Sequence, residues 1–283
     1  AYEFFLSGGK KMSSSKGLGT SAKEISETLL ILTNNLVINS FDDIAKDMYT
    51  IQSMGEFRKT IEKKVKSEPH APKELLNFAK VLLDECRKKG TVQFSKLARL
   101  AFIGKIILQS LVEQKVVGNI FCEQFLKSIN TVATSINRDF KKLIQKEIAK
   151  EEFIKEYYHL RPGTYNITSL RYDTNPDLLN TIKSTVREEE KSTFRLDEYA
   201  ATTITAAFQQ EGLQFDSHYF FNFVRAALEA RELSKFEFTK NLSDALELIA
   251  KAGEEMGFTR KEISLLDINA IFKSATNNVY EIS

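Results

Sequence analysis

What most constrains this chain is the spacing of its apolar residues. Over long windows they recur at three and four positions, the period of a helix with one buried face, rather than in the alternation of a strand. Few residues interrupt that pattern. There are four prolines (Pro69, Pro72, Pro162, Pro176) and 12 glycines in 283 residues. The expectation is a mostly α chain: a multi-helix bundle with a long helix in the C-terminal half and an irregular central loop.

From Phe94, the residues Leu97, Leu100, Ala101, Ile107, Leu108, Leu111 and Val112 form one stripe, with a stop at Gly118 and Asn119. Phe121, Phe125, Ile129, Val132, Ile136, Phe140 and Leu143 form a second, read as one helix to Lys150 that packs antiparallel to the first. Asp216 is placed to cap a long helix through Phe220, Val224, Leu228, Leu233, Leu242, Leu246 and Ile249, ending near Gly257. Thr259 to Glu262 and Ser21 to Glu24 both match a capping box, in which a hydroxyl and a carboxylate satisfy orphan amides at a helix start. Ser67 to Lys73 and Arg161 to Pro176 read as linkers. The expected organisation is a loop segment over 1–29, a helical bundle over 30–160, and an irregular loop plus long-helix region over 161–283 packed on the same bundle.

A hydrophobic content of 42% with 21 Phe is enough for a core, and a formal net charge of +2 gives no global field for nucleic acid or membrane. Any basic site must be local. Cys86 and Cys122 lie within helical pattern and lack ligand spacing to a histidine, so they read as reduced core thiols. No run of about 18 apolar residues occurs. No membrane partner is expected, and a cytoplasmic location is.

Two stretches carry chemistry. Lys10 to Ile25 (KKMSSSKGLGTSAKEI) puts Lys11 and Lys16 around Ser13, Ser14 and Ser15 ahead of a helix start. Such a loop can surround a triphosphate with ammonium and hydroxyl donors, or be a solvated polar loop. Tyr157 to Asp173 (YYHLRPGTYNITSLRYD) gathers His159, Arg161, Tyr165 and Arg171 around a Pro162-Gly163 turn. Arginine grips phosphate or carboxylate with two parallel bonds and tyrosine stacks on flat ligands; equally, these side chains can tie a long loop onto the bundle. Arg225, Arg231, Lys235 and Lys240 make a possible basic stripe on the long helix. Glu229, Glu232 and Glu237 interleave with it, so a salt-bridged face is the competing reading.

Both stretches resemble known families. YEFFLSGGKKMSSSKGLGTSAKEI, from Tyr2, is similar to the KMSKS loop region of class I lysyl-tRNA synthetases, with Ser14 at the second lysine of that pattern. This implies pyrophosphate binding by Lys11, Ser13, Ser14, Ser15 and Lys16, with tRNA as partner. None of the three histidines (His70, His159, His218) lies in that family's nucleotide-binding signature. YHLRPGTYNITSLRYD resembles an element of the phosphoenolpyruvate synthase and pyruvate,phosphate dikinase group, which includes rifampicin phosphotransferase. FSKLARLAFIGKIILQSLVEQKVV, FLKSINTVATSINRDF and the stretch from Phe236 to Ile268 are similar to the helical middle region of those enzymes. Tyr158 and Leu170 depart from that pattern, which usually has glycine and proline there.

This second resemblance covers about residues 30 to 283. It implies the acceptor-side or docking region of an ATP-dependent kinase, binding a small-molecule phosphoryl acceptor or a partner domain through His159, Arg161, Tyr165 and Arg171. ATP and Mg would be used by the full-length enzyme through ATP-grasp and phosphohistidine domains, in cis or in trans. The chain itself is then expected to be a fragment without catalysis or a tightly bound cofactor, with residues 1 to about 20 mobile. A composite of the two segments, joined near Thr28 to Leu30, accounts for both resemblances.

Overall fold

In the computed structural model the chain is described over residues 19–183 and 193–276, with side chains described from 23 to 273 inside those ranges. Every regular element there is helical. They are α1 (Gly19–Ile38), α2 (Ser40–Ser67), α3 (Pro72–Glu85), α4 (Val92–Glu113), α5 (Asn119–Lys127), α6 (Val132–Ile144), α7 (Lys150–Tyr157), α8 (Leu178–Lys183), α9 (Glu198–Gln210), α10 (Ser217–Glu255), α11 (Arg260–Ile263) and α12 (Ile268–Thr276). A single wide π turn, Cys86–Thr91, joins α3 to α4.

The ends of α10 follow from local chemistry. The Asp216 carboxylate accepts the Tyr219 amide at 2.7 Å, satisfying an orphan donor at the N-terminus. At the other end Gly257 takes φ +87, a conformation that costs a residue without a Cβ little. It lets Phe258 N reach Gly253 O at 2.9 Å and Gly257 N reach Glu254 O at 3.0 Å, the paired bonds of a Schellman stop. Thr259 and Glu262 form the expected capping box at α11. The box expected at Ser21 does not start a helix, because α1 already runs from Gly19.

Two helix ends are not where the sequence placed them. The segment expected as one helix from Phe121 to Lys150 is two, α5 and α6, and α7 starts at Lys150, where the expected helix was to end. The Ser128 hydroxyl donates to the Phe125 carbonyl at 2.6 Å, competing with the helix ladder where α5 ends. Lys146 then adopts φ +62 and closes α6, with Glu147 N on Lys142 O at 2.8 Å. Lys115, at φ 58, closes α4 in the same way, so that helix stops before the expected signal at Gly118. Left-handed lysines do the work expected of glycine, at a cost of roughly 1–2 kcal/mol each.

Contacts divide the described residues into two units, neither a single stretch of chain: 19–48, 94–132 and 193–233 in the first, 49–93, 133–183 and 234–276 in the second. This division cuts across the segments 30–160 and 161–283. The first unit has a phenylalanine-rich core, with Phe125, Phe208, Phe220 and Phe223 fully buried and rings in edge contact, as at Phe125 and Phe221 (centroids 4.7 Å apart). Asn34, buried in α1, holds the turn after α9 by donating to Gly212 O and accepting from Gln214 N. In the second unit Leu75, Ala79, Leu82, Ala245, Ile249 and Ile263 form an aliphatic core. Phe140, Phe153, Tyr157 and Tyr172 form an aromatic one under the central loop.

Candidate functional site

The 158–173 segment folds onto the face of α10 that belongs to the second unit. Leaving α7, the chain turns at Pro162 and Gly163 and returns so that Tyr172 N donates to Leu160 O at 2.8 Å, which closes the loop. An Asx turn shapes its far side, the Asn166 carboxamide oxygen accepting from both Thr168 N and Thr168 Oγ1.

Arg161 is buried, its side chain 1% exposed. One terminal nitrogen donates to Ser243 O (3.2 Å), Ser243 Oγ (2.9 Å) and Glu247 Oε1 (3.1 Å); the other donates to Ser169 O (3.2 Å) and Asn166 O (3.4 Å). The guanidinium therefore joins the two limbs of the loop to α10. Arg171 grips Asp173 through Nε (3.0 Å) and Nη2 (2.6 Å), reaches Asp244 with Nη1 at 2.6 Å, and lies over the Tyr158 ring at 5.2 Å. His159 is 2% exposed, edge-on to Phe236, and its carbonyl accepts from Ser243 Oγ at 2.7 Å. Tyr165 is 66% exposed.

Of the four residues singled out in the sequence, the fold thus brings His159, Arg161 and Arg171 into one buried network and leaves Tyr165 on the outer surface. The network has members that sequence reasoning missed. Arg58 of α2 donates to Asn241 Oδ1 at 3.2 Å and lies 3.8 Å from Asp244. Arg260 of α11 takes both Glu247 oxygens, at 3.0 and 2.6 Å, and Glu254 at 3.1 Å. Arg58, Arg161, Arg171 and Arg260 meet Asp173, Asp244, Glu247 and Glu254, four cations against four carboxylates. The available signal was the run of polar residues at helical spacing (Lys240, Ser243, Asp244, Glu247) between Leu242, Leu246 and Ile249 on an otherwise apolar stretch.

Burial sets the electrostatics. It pushes the Asp244 carboxyl up against the pull of Arg171 and Arg58. Burial alone would raise Glu247 as well, but Arg260, then Arg171 and Arg161, outweigh it and hold that carboxyl below its ordinary value. Burial also raises the Tyr158 and Tyr157 phenols, the latter donating to Asp139 at 2.7 Å. The arrangement anchors a loop and balances its own charge.

The four cations of the stripe have different surroundings. In the first unit Arg225 donates to Ser128 O at 3.2 Å and lies over Phe125, while Arg231 pairs with Glu232. In the second unit Lys240 pairs with Glu237 at 2.8 Å over the Phe236 ring, and Lys235 is exposed. Lys11, Ser13, Ser14, Ser15 and Lys16 lie outside the described residues. Cys86 and Cys122 are buried free thiols, raised by burial to about 12 and about 11. Among the described residues no cluster of His, Cys, Asp and Glu is arranged to hold a metal ion, and no helix is long and apolar enough to cross a membrane.

A separate groove of about 950 Å³ lies in the first unit, lined by Arg195, Asp197, Glu198, Thr205, Asp216 and His218 among others. Its two aspartates are engaged in capping α9 and α10. No residue of the 158–173 loop lines it. Comparison of the chain with protein-family models, with curated protein sequences and with solved structures finds no match to any of them.

Proposed function

We propose that this chain is the helical, acceptor-side docking region of an ATP-dependent phosphotransferase of the dikinase type, without catalysis of its own. One observation carries the reading. The segment whose sequence resembles that group is an ordered, turn-rich loop, anchored from beneath by Arg161 and Arg171, with Tyr165 and Leu170 at the surface. An anchored loop with an exposed aromatic suits recognition, since a rigid tyrosine gives contact area at little entropic cost.

In this reading ATP and Mg act in an ATP-grasp domain, and a phosphohistidine domain and a small-molecule acceptor meet the outer face of the loop. Arg161 and Arg171 position the loop rather than touch phosphate. The test is calorimetric titration of the chain with a purified phosphohistidine domain of a dikinase-class enzyme. Binding is expected, and Tyr165→Ala should weaken it roughly 10- to 30-fold with helicity unchanged. Absence of binding, or indifference to Tyr165→Ala, defeats the proposal.

The serine and lysine pattern from Lys11 to Lys16 favours a second reading, a lysyl-tRNA synthetase segment. Lysine-dependent pyrophosphate exchange, or saturable tRNA binding lost in Lys11→Ala, would support that reading instead.

A further inference from the structure

His159 is a titratable side chain buried in the second unit with no uncommitted carboxylate to receive a proton's charge. Neither ring nitrogen makes a hydrogen bond of ordinary geometry. The ring is enclosed by aromatic groups, Phe236 at 4.6 Å and Tyr158 at 5.4 Å between centroids, both edge-on. The charges acting on it are cationic: Lys240 from α10, Arg58 from α2 and Arg171 from its own loop. The nearby carboxylates are already committed. Glu237 holds Lys240, Asp244 is taken by Arg171 with Arg58 beside it, Glu247 by Arg161 and Arg260, and Glu62 of α2 by Lys66. An imidazolium here would be a fourth cation without a partner.

We propose that His159 is an acid-sensitive latch: its neutral ring seats the 158–173 loop on α10, and its protonation drives the ring out and releases the loop. The ring is well placed to do so. Its own carbonyl is held by Ser243 Oγ, and two residues on Arg161 makes the main anchor, so expulsion of the ring pulls on both.

Burial, with Lys240, Arg58 and Arg171, lowers the His159 pKa from 6.5 to about 3, the Phe236 backbone acting weakly the other way. The open loop therefore binds a proton more readily than the closed one. Stability of the closed loop is complete above pH 6.5, is lost progressively as pH falls below it, and levels off near pH 3. The carboxylates do not mimic this in the upper part of the window. Asp244 is shifted up, which acts in the opposite direction, and Glu247 destabilises the closed form only below 4.5. The latch operates independently of whichever ligand the loop serves.

The test is amide hydrogen exchange on the full chain, read at Tyr172, whose N–H closes the loop, and corrected for the intrinsic pH dependence of exchange. The opening constant should rise roughly 90-fold between about pH 7.5 and pH 4.5. In His159→Phe, which keeps an aromatic ring against Phe236 and Tyr158 and removes the titratable group, it should rise less than about threefold. An equal rise in both proteins overturns the proposal. Should that variant fold poorly, the ring proton signals of His159 in the unaltered protein decide. A ring still neutral at about pH 5 supports the latch, and one that titrates near its ordinary value refutes it.

Discussion

Replacing Arg161 by alanine tests whether the loop is held by its arginines or offers them to a ligand. The variant loses bonds to the carbonyls of Asn166, Ser169 and Ser243, of which the last belongs to a buried residue, Ser169 is half-buried and Asn166 is exposed. Each lost hydrogen bond costs about 1 kcal/mol. Removing one member of a buried ion pair costs about 3–5 kcal/mol where the other charge is stranded. Glu247 is not stranded, because Arg260 keeps both of its oxygens. The loss should therefore lie near the low end, about 2–4 kcal/mol. At about 2–4 °C per kcal/mol for a chain of this size class, the thermal unfolding midpoint followed by circular dichroism should fall by roughly 4–16 °C. Arg161→Lys should recover less than half, since one ammonium cannot reach both limbs of the loop. A variant that melts within about 1 °C of the unaltered protein while losing ligand binding would show that Arg161 serves a ligand, and the anchoring argument fails.

Two further outcomes are expected. A Cβ at Gly90, in the π turn, would lie 2.8 Å from Phe238 Cβ, so Gly90→Ala should lower stability by about 1–3 kcal/mol in thermal unfolding. Unchanged stability would mean that Phe238 does not pack against that turn. Glu247 sits below its ordinary 4.5, so its contribution is present above that value and is lost as pH falls through the depressed one. Urea midpoints from about pH 6 to about pH 3 should fall less steeply in Glu247→Gln, and parallel curves would count against the assigned pairing with Arg260 and Arg161.

The helical class, the extent of α10 and its Schellman stop at Gly257 were legible in the sequence, because each depends on residues within a few positions of one another. The same local signals failed at Lys115 and Lys146. Lysine carries no mark of the left-handed conformation that packing imposes on it, so α4 stops short of Gly118 and α6 stops at Ile144 rather than running to Lys150. The π turn at Cys86–Thr91 was also invisible. Its widening goes with the close seat of Gly90 against Phe238, a residue 148 positions away in the chain.

The candidate site divides along the same line. The sequence by itself determined that cationic and aromatic side chains crowd a proline-glycine turn between helices, since composition and spacing are local properties. Only the tertiary structure decided what they do. Asp244, Glu247, Arg58 and Arg260 lie far along the chain from Arg161 and Arg171, and the fold brings them within hydrogen-bond reach or close to it. Once paired there, Arg161 and Arg171 anchor the loop and Tyr165 is left to the solvent. A guanidinium has the same formula beside a ligand or beside a buried carboxylate, and long-range packing alone selects between them.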